Sequence, residues 1–175
     1  LGPWLRETRS AAGTMDRIRI HGDYHLGQVL DVDGRFAIID FGGEVGLSLE
    51  ERRRKASVFA DVGGMIRSFS YAGLTARASR LLTMPEGEVP FERISGWVAW
   101  WEERAIVTFL AAYLEAAAGE SFLPDPGPEG QLVLDVYLLD KALHELHYEM
   151  EYRPEWAFIP LEGLATIAAR IGGSS

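Results

Sequence analysis

The chain has 175 residues, 47% of them hydrophobic and 25% charged, which is enough apolar material for a packed core and excludes a disordered tail, a collagen-like chain or a low-complexity linker. Its formal net charge of −9 is the wrong sign for nucleic acid or an anionic membrane as partner. It has no cysteine, which excludes disulfides, thiolate nucleophiles and Cys-ligated zinc, and it has neither a signal-peptide layout nor a membrane-length apolar run, so a cytoplasmic protein is expected.

The first segment, Trp4 to Ala12, is short and amphipathic and stops at Gly13. Val29-Leu30 and Phe36 to Ile39 are β-friendly runs around Asp31-Val32-Asp33-Gly34, and Asp-Gly between such runs reads as a hairpin turn. From Leu49 onward the pattern is helical. Val58, Val62, Met65, Ile66 and Phe69 follow one helix face, with Asp61 and Arg67 elsewhere on the circumference. Gly63-Gly64 inside that run lowers helix propensity and points to close packing. A loop with Pro85, Gly87 and Pro90 leads to a helix from Phe91 to about Ala118, whose Trp97, Trp100 and Trp101 are expected in the core. Gly119 and Leu123 to Pro128 break it, a helix follows from Glu129 to Tyr152, and a last one spans Leu161 to Ile171 before a flexible tail, 172–175. The fold class expected is mainly α with a small β-hairpin.

The chemistry concentrates in His21-Gly22-Asp23-Tyr24-His25-Leu26-Gly27-Gln28 and in Ile39-Asp40-Phe41-Gly42. Phosphoryl transfer of the kinase type needs a carboxylate that deprotonates the attacking hydroxyl and oxygen ligands that hold Mg²⁺ on the phosphates of ATP. Asp23 stands five residues before the amide of Gln28, and Asp40 heads an Asp-Phe-Gly, which matches the order of base, amide ligand and metal carboxylate in kinases. Gln28 stands where that pattern has Asn, keeping the amide oxygen with a longer reach. The hairpin between them can fold Asp40 back beside Gln28. His21 and His25 read as loop-bracing hydrogen bonders, because Asp23 already fills the base role; a metal hydrolase using His21, Asp23 and His25 is the weaker alternative. Asp61 braces the catalytic loop or caps its helix. The run Arg52-Arg53-Arg54-Lys55 reads as a solvated face.

The motif His-Gly-Asp-x-His-Leu-Gly-Gln followed by Ile-Asp-Phe resembles the aminoglycoside phosphotransferase-like small-molecule kinases, and within them the bacterial maltokinases. The likeness extends over Arg17 to Ile20, Asp61 to Phe69, Leu139 to Glu145 and Arg153-Pro154-Glu155-Trp156. It implies the C-terminal lobe of a protein-kinase-like fold over residues 1–171, with a catalytic loop at 21–28, a metal-binding loop at 40–44 and sugar-binding helices within 91–156. It also implies Asp23 as base, Gln28 and Asp40 as Mg²⁺ ligands and Glu44 as a supporting neighbour of the metal site. Gly42 and His144 depart from the Glu and Tyr usual at those positions. Maltose is the first acceptor implied, with glucosamine, the substrate of a subgroup sharing the loop, as the alternative. No Gly-rich phosphate loop and no strand lysine precede His21, so an N-terminal nucleotide lobe is expected in a longer protein, and trehalose synthase is a possible fusion partner.

From Glu115 to Glu162 there are eleven carboxylates and two cations, Lys141 and Arg153. Tyr137, Lys141, His144, Glu145 and Tyr148 recur at three- and four-residue spacing on one helix face. That face suits either a carbohydrate pocket, with aromatic planes and charged groups for hydroxyls, or a solvated Lys141–Glu145 pair beside core-edge tyrosines. The resemblance favours sugar binding for Lys141 and Glu145. A non-catalytic sugar-binding module is the competing class.

Overall fold

Residues 15–44, 46–83, 85, 89–123 and 127–173 are described in the computed structural model. The expected N-terminal helix, Trp4 to Ala12, lies outside them, as do Gly87 and residues 124–126 of the proline-rich break. A 3₁₀ turn, Leu26–Gln28, opens directly into strand β1, Val29–Val32, which pairs antiparallel with β2, Arg35–Ile38. Val32 faces Arg35, so the loop is the two residues Asp33-Gly34, and both have positive φ, 52° and 76°. This is the turn whose twist matches antiparallel strands, which explains why Asp-Gly marks it. The register, with Val29 opposite Ile38, returns the chain so that the Ile39 N–H donates to the Gln28 carbonyl at 3.0 Å.

The rest is helical. Helix α1, Leu49–Arg52, starts with a capping box in which Ser48 and Glu51 exchange hydrogen bonds. Helices α2, Phe59–Thr83, α3, Phe91–Ala116, and α4, Pro128–Tyr152, are followed by a 3₁₀ turn, Pro154–Trp156, and α5, Phe158–Gly173. Helix α5 is longer than expected at both ends. Gly172 and Gly173 belong to it, which corrects the expected flexible tail 172–175 at its first two residues; Ser174 and Ser175 lie outside the described residues.

Residues expected to form a single lobe divide into two compact units, one of residues 1–66 and 117–141, the other of 67–116 and 142–175. The first has a core of Val58, Phe59, Val62, Met65, Ile66, Val133, Leu134 and Leu138. Here α2 and α4 approach closely: a Cβ on Gly63 would stand 3.4 Å from the Tyr137 Cβ. The second is built on Leu74, Ile94, Ala142, Ile159 and Ile167.

The tryptophans correct the expectation for α3. Trp97, Trp100 and Trp101 are 55%, 64% and 41% exposed. The contacting stripe of α3 runs instead through Ile94, Val98, Glu102 and Phe109, with Val98 and Trp101 against Gly73 and Phe109 edge-on to Phe69. Trp97 and Trp100 fall off that stripe, and the Arg93 guanidinium covers the Trp97 ring at 5.0 Å. Large apolar side chains alone do not identify the inward face of a helix.

Candidate functional site

The chemistry-bearing segment, 21–44, belongs to the first unit, and its anchor is Asp61 in the first turn of α2. The Asp61 carboxylate accepts the backbone N–H of His21 at 2.7 Å with one oxygen and that of Gly22 at 2.9 Å with the other. Two charge-assisted bonds from a helix to a loop backbone fix the loop's position, so bracing, one of the two expected roles for Asp61, is what this residue does. Its negative charge, after burial, pushes the Tyr24 phenol above its ordinary pKa. The helix and the loop come close because residue 64 is glycine: a Cβ there would lie 2.6 Å from the Tyr24 carbonyl oxygen.

His21 is buried, and its ring joins the two motifs. Nε2 lies 2.8 Å from the Ile39 carbonyl, which can only accept, so Nε2 carries the proton. Nδ1 then accepts the Asp23 N–H at 3.3 Å. One imidazole therefore sets the residue before Asp40 and the backbone of Asp23, and the Phe41 ring packs 4.8 Å from it. His25 caps the 3₁₀ turn by accepting the Gly27 N–H at 3.0 Å, while its Nε2 stands 3.7 Å from Asp23 Oδ2. Both histidines thus make hydrogen bonds to the backbone of the two motifs.

Asp40 follows β2 with φ of 59°, a left-handed conformation unusual for a non-glycine residue. Its carboxylate receives the Gln28 amide at 3.5 Å, so the hairpin does bring these two side chains together. A carboxylate and an amide are hard oxygen donors that suit Mg²⁺, which keeps several waters and takes further oxygens from phosphates. Rotation of the Gln28 amide would turn its oxygen toward such an ion. Among the described residues no group of three His, Asp or Glu is arranged to hold a metal ion. The weaker arrangement of His21, Asp23 and His25 as ligands fails on a specific ground, since both His21 ring nitrogens are engaged.

Glu44 sits at the end of the second motif, whose backbone is held by α1. Arg52 Nε donates to the Leu47 carbonyl at 2.9 Å, and its side chain packs over Gly43. The basic run 52–55 is exposed as expected, yet Arg52 has this tethering contact, which no local pattern signals.

Lys141 is where the structure adds most. Its Nζ lies 3.5 Å from Asp23 Oδ1 and 3.5 Å from Glu44 Oε1, linking residues 97 and 118 positions apart in the chain. The other residues of the expected sugar face are placed as follows. Tyr137 is half-buried on α4 against Gly63. His144 is exposed, and Tyr148 is 51% exposed with Tyr152 and the Arg153 guanidinium against its ring. Glu145 does not pair with Lys141; its Oε2 accepts from Arg67 Nε at 3.1 Å and Nη2 at 2.6 Å, with the arginine side chain 4% exposed.

No family model matches the chain. It is similar to glucosamine kinase of Streptacidiphilus jiangxiensis, with 29% identity over 163 residues, 88% of this chain and 32% of that protein. It is also similar to glucosamine kinase of Mycolicibacterium smegmatis, with 30% identity over 142 residues, 80% of this chain and 32% of that protein. The chain thus spans about a third of the length of these curated relatives. Among solved structures, a glucosamine kinase in complex with glucosamine, ADP and inorganic phosphate matches with a TM-score of 0.65 at 22% identity, covering 95% of this chain and 38% of that one. A further glucosamine kinase crystal form matches with a TM-score of 0.66 at 20% identity, covering 99% and 47%. The fold is therefore that of part of these kinases, mainly helical with a two-stranded hairpin, as expected for a C-terminal kinase-like lobe. These relatives are glucosamine kinases, whereas the sequence resemblance pointed first to maltokinases.

Proposed function

We propose that this chain supplies the acceptor and metal-binding part of an ATP-dependent sugar kinase whose acceptor is glucosamine. The observation that carries the reading is that one unit holds two pairs from the motifs, Gln28 with Asp40 and Lys141 with Asp23. Similarity to glucosamine kinases supports the choice of acceptor. The acidic excess between Glu115 and Glu162 favours an amino sugar over a neutral one, because it attracts an ammonium group.

In this reading Asp23 takes the proton of the sugar hydroxyl as that oxygen attacks the terminal phosphorus of ATP. His21 and His25 hold Asp23 in place through its backbone N–H and its second carboxylate oxygen. Asp40 and Gln28 would hold Mg²⁺, which when bound neutralises charge on the phosphates. Asp61 keeps the loop in register with α2. Most of the rate enhancement then comes from positioning and electrostatics, with no covalent intermediate on the protein.

The test is ADP release by the complete protein carrying this chain, with glucosamine, maltose and glucose compared at equal concentration. Glucosamine is expected to give the highest kcat/KM. A preference for maltose would return the acceptor to the maltokinase reading, and sugar binding without turnover would favour a non-catalytic module.

A further inference from the structure

The placement of Lys141 goes beyond sugar binding. Its side chain is 28% exposed, and its ammonium stands between the carboxylates of Asp23 and Glu44 at 3.5 Å from each. Both distances are longer than the usual 2.7–3.2 Å of a made N–H···O bond, roughly, so neither carboxylate holds the ammonium tightly. An ammonium has three donors, and two carboxylates at this range leave it donors to direct elsewhere.

We propose that Lys141 is a catalytic residue that binds the phosphoryl group in flight, not a ligand of the resting sugar. The inference rests on the kinase reading above. If Asp23 accepts the sugar hydroxyl proton, that oxygen lies within about 3 Å of the Asp23 carboxylate. The phosphorus it attacks is then about 3–3.5 Å further on. An ammonium already beside Asp23 Oδ1 reaches the non-bridging oxygens of that phosphoryl group, with Glu44 supporting it from the other side.

The step balances as follows. The hydroxyl oxygen forms the new P–O bond and gives its proton to Asp23, while the bond from phosphorus to the β,γ-bridging oxygen breaks and its electron pair leaves with ADP. Lys141 keeps its protons throughout and donates a hydrogen bond to an oxygen on which charge accumulates. A point cation placed there stabilises the transition state more than the bound ground state.

The experiment compares wild type, Lys141→Gln and Lys141→Arg in the complete protein, measuring kcat at saturating ATP and glucosamine and, separately, glucosamine affinity by calorimetry. Removing the charge is expected to lower kcat by about 10²–10³-fold. Glucosamine affinity is expected to stay within about threefold of wild type, the pattern of an interaction made only in the transition state. Arginine, which keeps the charge, is expected to recover a substantial part of kcat, whereas a purely structural loss would not be rescued. A kcat within threefold of wild type in Lys141→Gln, whether or not glucosamine affinity falls, overturns the proposal. Absence of transfer by the wild-type protein overturns the kinase reading itself, which distinguishes the two failures.

Discussion

Asp61 is the residue on which the site's geometry depends. Its two oxygens accept adjacent backbone N–H groups directly, His21 at 2.7 Å and Gly22 at 2.9 Å. Asp61→Asn keeps the size but turns an amide N–H toward one of those donors and removes the charge. Hydrogen bonds to charged groups contribute about 1.5–3 kcal/mol each, so a stability loss of about 2 kcal/mol is expected in urea denaturation. A fall in kcat should accompany it, because Asp23 follows two residues after the tethered His21. Unchanged stability would mean that the loop is held by other contacts.

This residue-level picture was partly legible in the sequence. Asp23, Gln28 and Asp40 stand out because their types, order and spacing are dictated by the chemistry they can perform together. The His25 contact is local, to the Gly27 N–H two residues on, whereas the His21 contact to the Ile39 carbonyl spans 18 residues and depends on the hairpin return. The Lys141 contacts were not legible: the lysine is 118 residues from Asp23, and helical periodicity reports neighbours on its own helix only. The same limit applies to Glu145, whose spacing from Lys141 suggests an i, i+4 pair and whose partner is Arg67, 78 residues away.

At the scale of elements, α2 carries the most structural information. Residues 62–67 are all buried, so this stretch is enclosed on more than the single face that the spacing of its apolar residues indicates. Gly63-Gly64 is what permits it. The two glycines differ in a testable way. A Cβ at 63 would meet Tyr137 at 3.4 Å, an ordinary contact, but a Cβ at 64 would meet the Tyr24 carbonyl oxygen at 2.6 Å. Gly63→Ala is therefore expected to be neutral to stabilising, by up to about 1 kcal/mol, because helix propensity improves. Gly64→Ala should cost about 1–3 kcal/mol from overpacking, and should lower kcat by displacing the loop that contains Asp23. Equal stability and activity in the two variants would contradict the close approach. The hairpin was readable because Asp33-Gly34 meets a strict backbone requirement, whereas the inward face of α3 was not, because apolar size does not encode the direction of packing.

At the scale of the molecule, buried charge is organised into pairs. In the second unit Tyr71 donates to Glu149, which is 1% exposed and also accepts from Arg153 at 2.6 Å. Burial, and then the hydrogen bond to Glu149 and its charge, push the Tyr71 phenol well above its ordinary pKa of 10.0. The folded protein thus keeps this proton at a pH where the unfolded chain has released it. The contribution to stability is complete below the ordinary value and is lost as pH rises above it, since the unfolded state then binds fewer protons. As pH rises above about 10, the wild-type Tm should fall more steeply than that of Tyr71→Phe. Parallel curves would contradict the buried pair.

The net charge of −9 and the two-unit division likewise belong to the whole molecule, and neither identifies a reaction. Among the described residues no helix is long and apolar enough to cross a membrane. The assignment of chemistry rests on Asp23. Its most direct test is transfer of labelled phosphate from ATP to glucosamine, followed in parallel for the complete wild-type protein and its Asp23→Asn variant, with circular dichroism to establish that both are folded. The account predicts labelled glucosamine phosphate from the wild type and a rate lower by about 10³-fold or more in the variant, a larger loss than general-base removal alone because Asp23 also orients the hydroxyl. Comparable transfer by a folded Asp23→Asn variant would contradict it.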